Sequence, residues 1–175
     1  MRIIVSDSSC LIDLKKASLL GVFLSLPYEI LIPNTLFEDE LLSFTVSEKR
    51  MLLQGGLQVV DLPGQLVLRA REVIASRPRL SVHDGFAYAL AEMHTGSILL
   101  TGDGQLRVLA TTNKIEVHGI LWVVDEIYRG RLTTVKALHG ALSVLVDDPA
   151  VRLPKRELAA ALERFEALLQ EDTDG

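Results

Sequence analysis

Five short apolar runs recur along the chain, separated by segments whose apolar residues fall at helical spacing. Residues 2–6 form the first, with Ile3, Ile4 and Val5 contiguous. Such a run, without polar alternation, is what a strand buried on both faces shows. Residues 29–32 form the second, closed by Pro33; residues 57–62, 97–100 and 115–117 form the others. Between the first two, Ser8 or Ser9 is placed to cap a helix carrying Cys10, Leu11, Ile12 and Leu14. Thr35 and Glu38 have the spacing of a capping box, opening a helix through Leu41 and Leu42. Residues 47–54 give another helical piece, stopped at Gly55-Gly56. Leu66, Val67, Ala70, Val73 and Ile74 share a helical face, and Pro78 ends that segment. Ser81 and Asp84 make a second capping-box pattern, heading an alanine-rich helix to His94. A helix over 105–111 follows the fourth strand. From Leu121 onward the pattern is helical, broken near Gly130-Arg131, with an amphipathic helix over 155–170 and a polar tail, 171–175, expected to fray.

Strands alternating with helices predict an α/β fold, a five-stranded parallel sheet flanked by helices on both faces. Sheets of this kind place their chemistry at the carboxyl ends of the strands, where strand order reverses. Two strands end there in aspartate: Asp7 and Asp103. Asp84 lies in the first turn of the alanine-rich helix, and Glu40 early in the helix after Pro33, with Asp39 beside it. Helices that follow strands also start on this edge in a right-handed crossover. Two carboxylates about 5 Å apart repel by roughly 3 kcal/mol at an effective dielectric near 20. A converging set therefore takes up protons or holds a cation, and oxygen ligands suit a hard ion, Mg2+ or Mn2+. Each acid also has a plainer role. Asp7 suits a helix cap, Asp103-Gly104 a turn, Asp84 a capping box, and Glu38 to Glu40 a solvated helix end.

Composition narrows the class. The 175 residues are 49% hydrophobic and 23% charged, which excludes a mostly disordered or collagen-like chain and favours one domain. One cysteine, Cys10, excludes an intramolecular disulfide; no secretory signal is visible, so a cytoplasmic address is expected. The longest uncharged run near the start, residues 17–28, contains Pro27 and is too short to span a membrane. A net charge of −5 argues mildly against a dedicated nucleic-acid-binding module. It is compatible with an enzyme that sets metal cations between its own acids and a phosphate.

Four stretches carry a resemblance. Residues 3–9 (Ile-Ile-Val-Ser-Asp-Ser-Ser), 32–41 (Ile32-Pro33 to Glu40-Leu41), 84–91 (Asp84 to Ala91) and 99–103 (Leu-Leu-Thr-Gly-Asp), continuing to Leu106 and Ala110, match in order and spacing. Over residues 1–128 the chain resembles the PIN-domain family, the fold of many metal-dependent ribonucleases and of VapC-type toxins. The second motif usually carries one glutamate, and here Glu38, Asp39 and Glu40 are on offer. Glu40 is favoured by Leu41 behind it, and counting from Pro33 favours Asp39. The resemblance implies sheet order 3-2-1-4-5 and Mg2+- or Mn2+-dependent hydrolysis of RNA phosphodiesters. Asp7, Glu40, Asp84 and Asp103 would be the catalytic and metal-holding acids. Ser8 and Thr101 would hydrogen-bond them, and Arg107, one turn beyond Asp103, would grip the RNA backbone. It further implies a toxin–antitoxin role, an antitoxin partner and a homodimer.

Residues 1–130 are then the nuclease domain. Residues 131–175 are a helical extension, with Leu158, Ala161, Leu162, Phe165 and Leu168 or Leu169 on the face that packs on the domain or meets a partner. His83, His94, His118 and His139 show no zinc spacing and are expected at surface or capping positions, His83 standing out beside Asp84. Cys10 and Trp122 are expected in the core. Two other functions compete. One is phosphoryl transfer through an Asp7 nucleophile, disfavoured by Ser9 where a second acid is usual. The other is a non-catalytic PIN-like module that binds RNA or protein.

Overall fold

β1 (Arg2–Ser6) sits at the centre of the sheet, hydrogen-bonded on one side to β2 (Tyr28–Pro33) and on the other to β4 (Ile98–Leu100). β3 (Gln58–Val60) extends the sheet beyond β2, and β5 (Glu116–His118) beyond β4. All pairs are parallel and the order is β3-β2-β1-β4-β5, as the family resemblance implies. The structure is a computed structural model that describes residues 1–174. Val5 aligns with Leu31 and with Leu99, so the ends of β1, β2 and β4 lie level on one edge. Ile4, Val5, Ile32, Ile98, Leu99 and Leu100 are buried, which is why these strands read as unbroken apolar runs.

The helices are α1 (Ser8–Lys16), α2 (Leu20–Leu24), α3 (Asn34–Asp39), α4 (Val46–Gln54), α5 (Gly64–Ala75), α6 (Val82–Met93), α7 (Gly104–Thr112), α8 (Ile120–Arg129), α9 (Val135–Asp147) and α10 (Lys155–Asp174). Several local expectations are corrected. Asp7, rather than Ser8 or Ser9, caps α1. The box expected at Thr35 does not form. Pro33 is the cap residue of α3 with no side-chain bond, and the Thr35 hydroxyl is buried without a partner. That helix stops at Asp39 and does not run through Leu41 and Leu42. The real box is one helix later, where Thr45 and Glu48 cap each other. The box at Ser81 and Asp84 is present. α8 ends where Gly130 and Arg131 interrupt the pattern; Arg131 has φ 52°. The tail expected to fray continues α10 as far as Asp174, and Gly175 lies outside the described residues.

α9 and α10 contribute Leu138, Leu142, Leu145, Leu158 and Phe165 to the same buried cluster as Ile4 and Leu100. Tyr128 on α8 meets the Phe165 ring edge-on, and Arg164 pairs with Asp125. Trp122 was expected in the core but is half-buried, its ring stacked on His118 at 4.5 Å.

α5 and α6 pack closely because Gly85 has no side chain. A Cβ there would come within 2.9 Å of Ile74 Cγ2 and 3.0 Å of the Ala70 carbonyl. Gly85→Val should destabilise the fold by about 1–3 kcal/mol in urea melts, by overpacking this contact. The same helices are clamped by Arg69, which donates to both Glu92 oxygens at 2.7 and 2.8 Å, while the Tyr88 hydroxyl donates to Glu92 at 3.0 Å. Arg69 holds the Glu92 carboxyl below its ordinary range. Burial, with the Glu92 carboxylate next, pushes the Tyr88 hydroxyl up to about 12. A lowered folded pKa means stability that is present above the unfolded glutamate value and lost as pH falls through the folded one. Arg69→Ala should therefore cost about 1 kcal/mol at pH 7, after allowance for solvent screening, and flatten the acid limb of a pH–Tm curve.

Candidate active site

Past the end of β1 the chain turns into α1, and the backbone N–H of Asp7 donates to Leu100 at 3.0 Å. That bond ties the exit of β1 to the exit of β4. The Asp7 side chain, 5% exposed, turns inward as the α1 cap. Its Oδ1 accepts the Cys10 N–H at 3.1 Å and the Ser9 hydroxyl at 2.8 Å, and its Oδ2 accepts the Thr101 hydroxyl. Thr101 Oγ1 in turn accepts the Asp103 N–H at 3.0 Å, and Asp103 Oδ1 accepts the Leu106 N–H at 2.8 Å as the cap of α7. Asp7, Thr101 and Asp103 are thus one hydrogen-bonded chain across two strand ends.

Glu40 joins this edge through Ser8, whose hydroxyl donates to Oε1 at 2.8 Å. Asp39, the other residue of the second motif, faces His83 instead, with 3.3 Å from its Oδ2 to Nε2. Asp84 closes its capping box through Oδ2, 2.7 Å from the Ser81 N–H. It still lies near enough for its charge to be felt at Asp7. Burial pushes the Asp7 carboxyl above its ordinary range. The Thr101, Cys10 and Ser9 bonds pull it back, and Asp84 adds to the rise. The Cys10 thiol is pushed well up by burial, with the Asp7 charge next, which makes it a packing group rather than a nucleophile. Arg107 reaches back over the edge, its Nη2 donating to the Thr101 carbonyl at 3.4 Å.

Ser9 is a further residue bonded to Asp7 at this edge, and the sequence did not single it out for that place. The signal was its position two residues after a capping aspartate, from which its hydroxyl reaches the same carboxylate. Arg152 was also missed. It comes from the segment between α9 and α10 and lines a cavity of about 290 Å3 together with Ser9, Lys16, Gly102 and Asp103. No local pattern marks it, because only the packing of α9 and α10 brings it here.

The family model of PIN domains matches residues 3–167. The chain belongs to the PIN-domain family. No curated protein matches it. PIN domains are generally nucleases that use divalent metal ions. The acids of this PIN domain suit such an ion in donor chemistry, since carboxylate and hydroxyl oxygens of Asp7, Ser8, Ser9, Glu40 and Thr101 meet at this edge. Glu40, Asp84 and Asp103 each commit one carboxylate oxygen to a hydrogen bond in the protein. Among the described residues, no group of three or more Asp, Glu, His or Cys stands close enough to hold a metal ion as arranged. No helix among the described residues is long and apolar enough to cross a membrane.

Proposed function

We propose that this PIN domain hydrolyses RNA phosphodiester bonds with Mg2+ or Mn2+, as an endoribonuclease. Asp7 carries the reading. It is a nearly buried carboxylate, held by three donors where β1 meets β4, and burial and a neighbouring acid both oppose its ionisation. A carboxylate held at such cost is a functional candidate, and a divalent cation is what would favour its charged form. Asp7, Glu40, Asp84 and Asp103 would hold the ion, directly or through water. When bound it supplies activation of the attacking water and compensation of charge on the phosphate. Thr101 and Ser9 fix the rotamer of Asp7, and Ser8 aims Glu40 at the same edge. Arg107 would hold the RNA backbone.

The test is cleavage of single-stranded RNA by the purified chain. Activity should appear with Mn2+, stop with chelator, and fall by about a hundredfold in Asp103→Asn. Intact RNA under all these conditions would contradict the reading. A toxin role beside a VapB-type antitoxin, with a homodimeric toxin, extends the proposal on family resemblance. Induced expression should arrest growth for the wild type and not for Asp103→Asn.

One observation favours a second reading, a PIN domain that binds without cutting. Asp7 and Asp103 each cap a helix, and Asp84 completes a capping box. RNA bound equally with and without metal, and never cut, would favour it.

A further inference from the structure

Beside the acidic edge lies a larger cavity, about 680 Å3, within the size range of small-ligand sites. Thr101, Gly102 and Arg107 line it on the side of the acids; Trp122, Leu153 and Arg152 also line it. Gly102 and Arg152 line the 290 Å3 cavity of Asp103 as well, so the two hollows adjoin there. Among the described residues, Arg107 and Arg152 make no ion pair. The Arg107 guanidinium is placed by its bond to Thr101 and by the missing side chain of Gly119, where a Cβ would stand 3.3 Å from Nη2. In a chain of net charge −5, two unpaired guanidinia around one apolar hollow are a local reversal of sign.

We propose that the α9–α10 connection builds a nucleotide subsite next to the acids. Arg152 and Arg107 hold a backbone phosphate, and the hollow beside Trp122 and Leu153 takes the neighbouring base. The proposal rests on the ribonuclease reading and adds where the substrate runs. Guanidinia bind phosphate through paired N–H donors, and apolar and aromatic walls take an unstacked base. A base can enter such a hollow only from a single strand, so the occupant is single-stranded RNA rather than a duplex. Glu157 is the one acid in the lining, against the two arginines.

Trp122 is the only tryptophan, so its emission reports on this hollow directly. The probe is an eight-nucleotide 2′-O-methyl RNA, titrated in chelator so that no cleavage intervenes, with binding followed also by anisotropy of a terminal dye. Binding should change the Trp122 emission. Arg152→Ala should weaken binding about tenfold and lower the slope of log K against log salt by about 0.7, one single-strand phosphate. It should melt like the wild type, since Arg152 is exposed. Binding by anisotropy with unchanged emission and a wild-type affinity in Arg152→Ala would overturn the subsite. RNA cleavage by the wild type would then leave the ribonuclease reading standing. No binding of the probe together with no cleavage would overturn both.

Discussion

Asp7→Asn is expected to cut RNA cleavage by about a hundredfold or more, while in chelator the variant stays close to the wild type in stability. The two halves come from one geometry. Asparagine keeps an oxygen for the Cys10 N–H and the Ser9 hydroxyl, so the α1 cap survives. Its amide nitrogen would face Thr101 Oγ1, which can accept it beside the Asp103 N–H, while the buried Thr101 O–H loses the acceptor it has in Asp7. What disappears is a negative charge that burial disfavours. The wild-type carboxyl is raised in the fold, so its ionisation works against folding as pH rises through the folded pKa, and the variant is free of that penalty at neutral pH. Asp7→Ala would differ. It strands the Cys10 N–H and the Ser9 and Thr101 hydroxyls and removes the cap, at about 1–3 kcal/mol. RNA cleavage and thermal melts on the two variants separate the chemical role of Asp7 from its structural one. An Asn variant that cuts RNA at the wild-type rate would remove Asp7 from the chemistry.

Phe165→Ala should cost about 3–5 kcal/mol in a denaturant melt, as a large aromatic removed from a core. The ring is fully buried, midway along α10, packed edge-on against Tyr128 with centroids 5.4 Å apart. Because α9 and α10 share one buried cluster with the sheet, the loss should lower the midpoint of a single transition. Two separated transitions would mean that the last helices unfold as a unit of their own. The variant should also weaken RNA binding more than Arg152→Ala does, because α10 anchors one end of the segment that carries Arg152.

The sheet was legible because its central strands β1, β2 and β4 are largely buried, so Ile3-Ile4-Val5 and Ile98-Leu99-Leu100 stand out as apolar runs. Their order came from the resemblance, not from the periodicity. Strand ends also located Asp7 and Asp103, because a parallel sheet fixes which end carries chemistry. Capping misled where two patterns compete. Thr35 and Glu38 have the spacing of a box, but Pro33 at φ −59° starts the helix and leaves Thr35 inside it. Thr45 and Glu48 carry the same spacing and form the box. Arg152 and the hollow beside Trp122 could not be read locally. They exist because the segment between α9 and α10 lines the same cavities as Gly102 and Trp122, and one apolar residue in an apolar run gives no sign that its ring lines a cavity.

The ribonuclease reading requires the acids at the ends of β1 and β4 to form a divalent-cation site. Thermal melts with and without Mn2+, on the wild type, Asp7→Asn and Asp103→Asn, test it most directly. Mn2+ at a hundredfold excess over its Kd should stabilise the wild type by about 2.7 kcal/mol, and both variants should lose that response. A wild type whose Tm ignores Mn2+, with variants that behave the same, would mean that these acids hold no divalent cation.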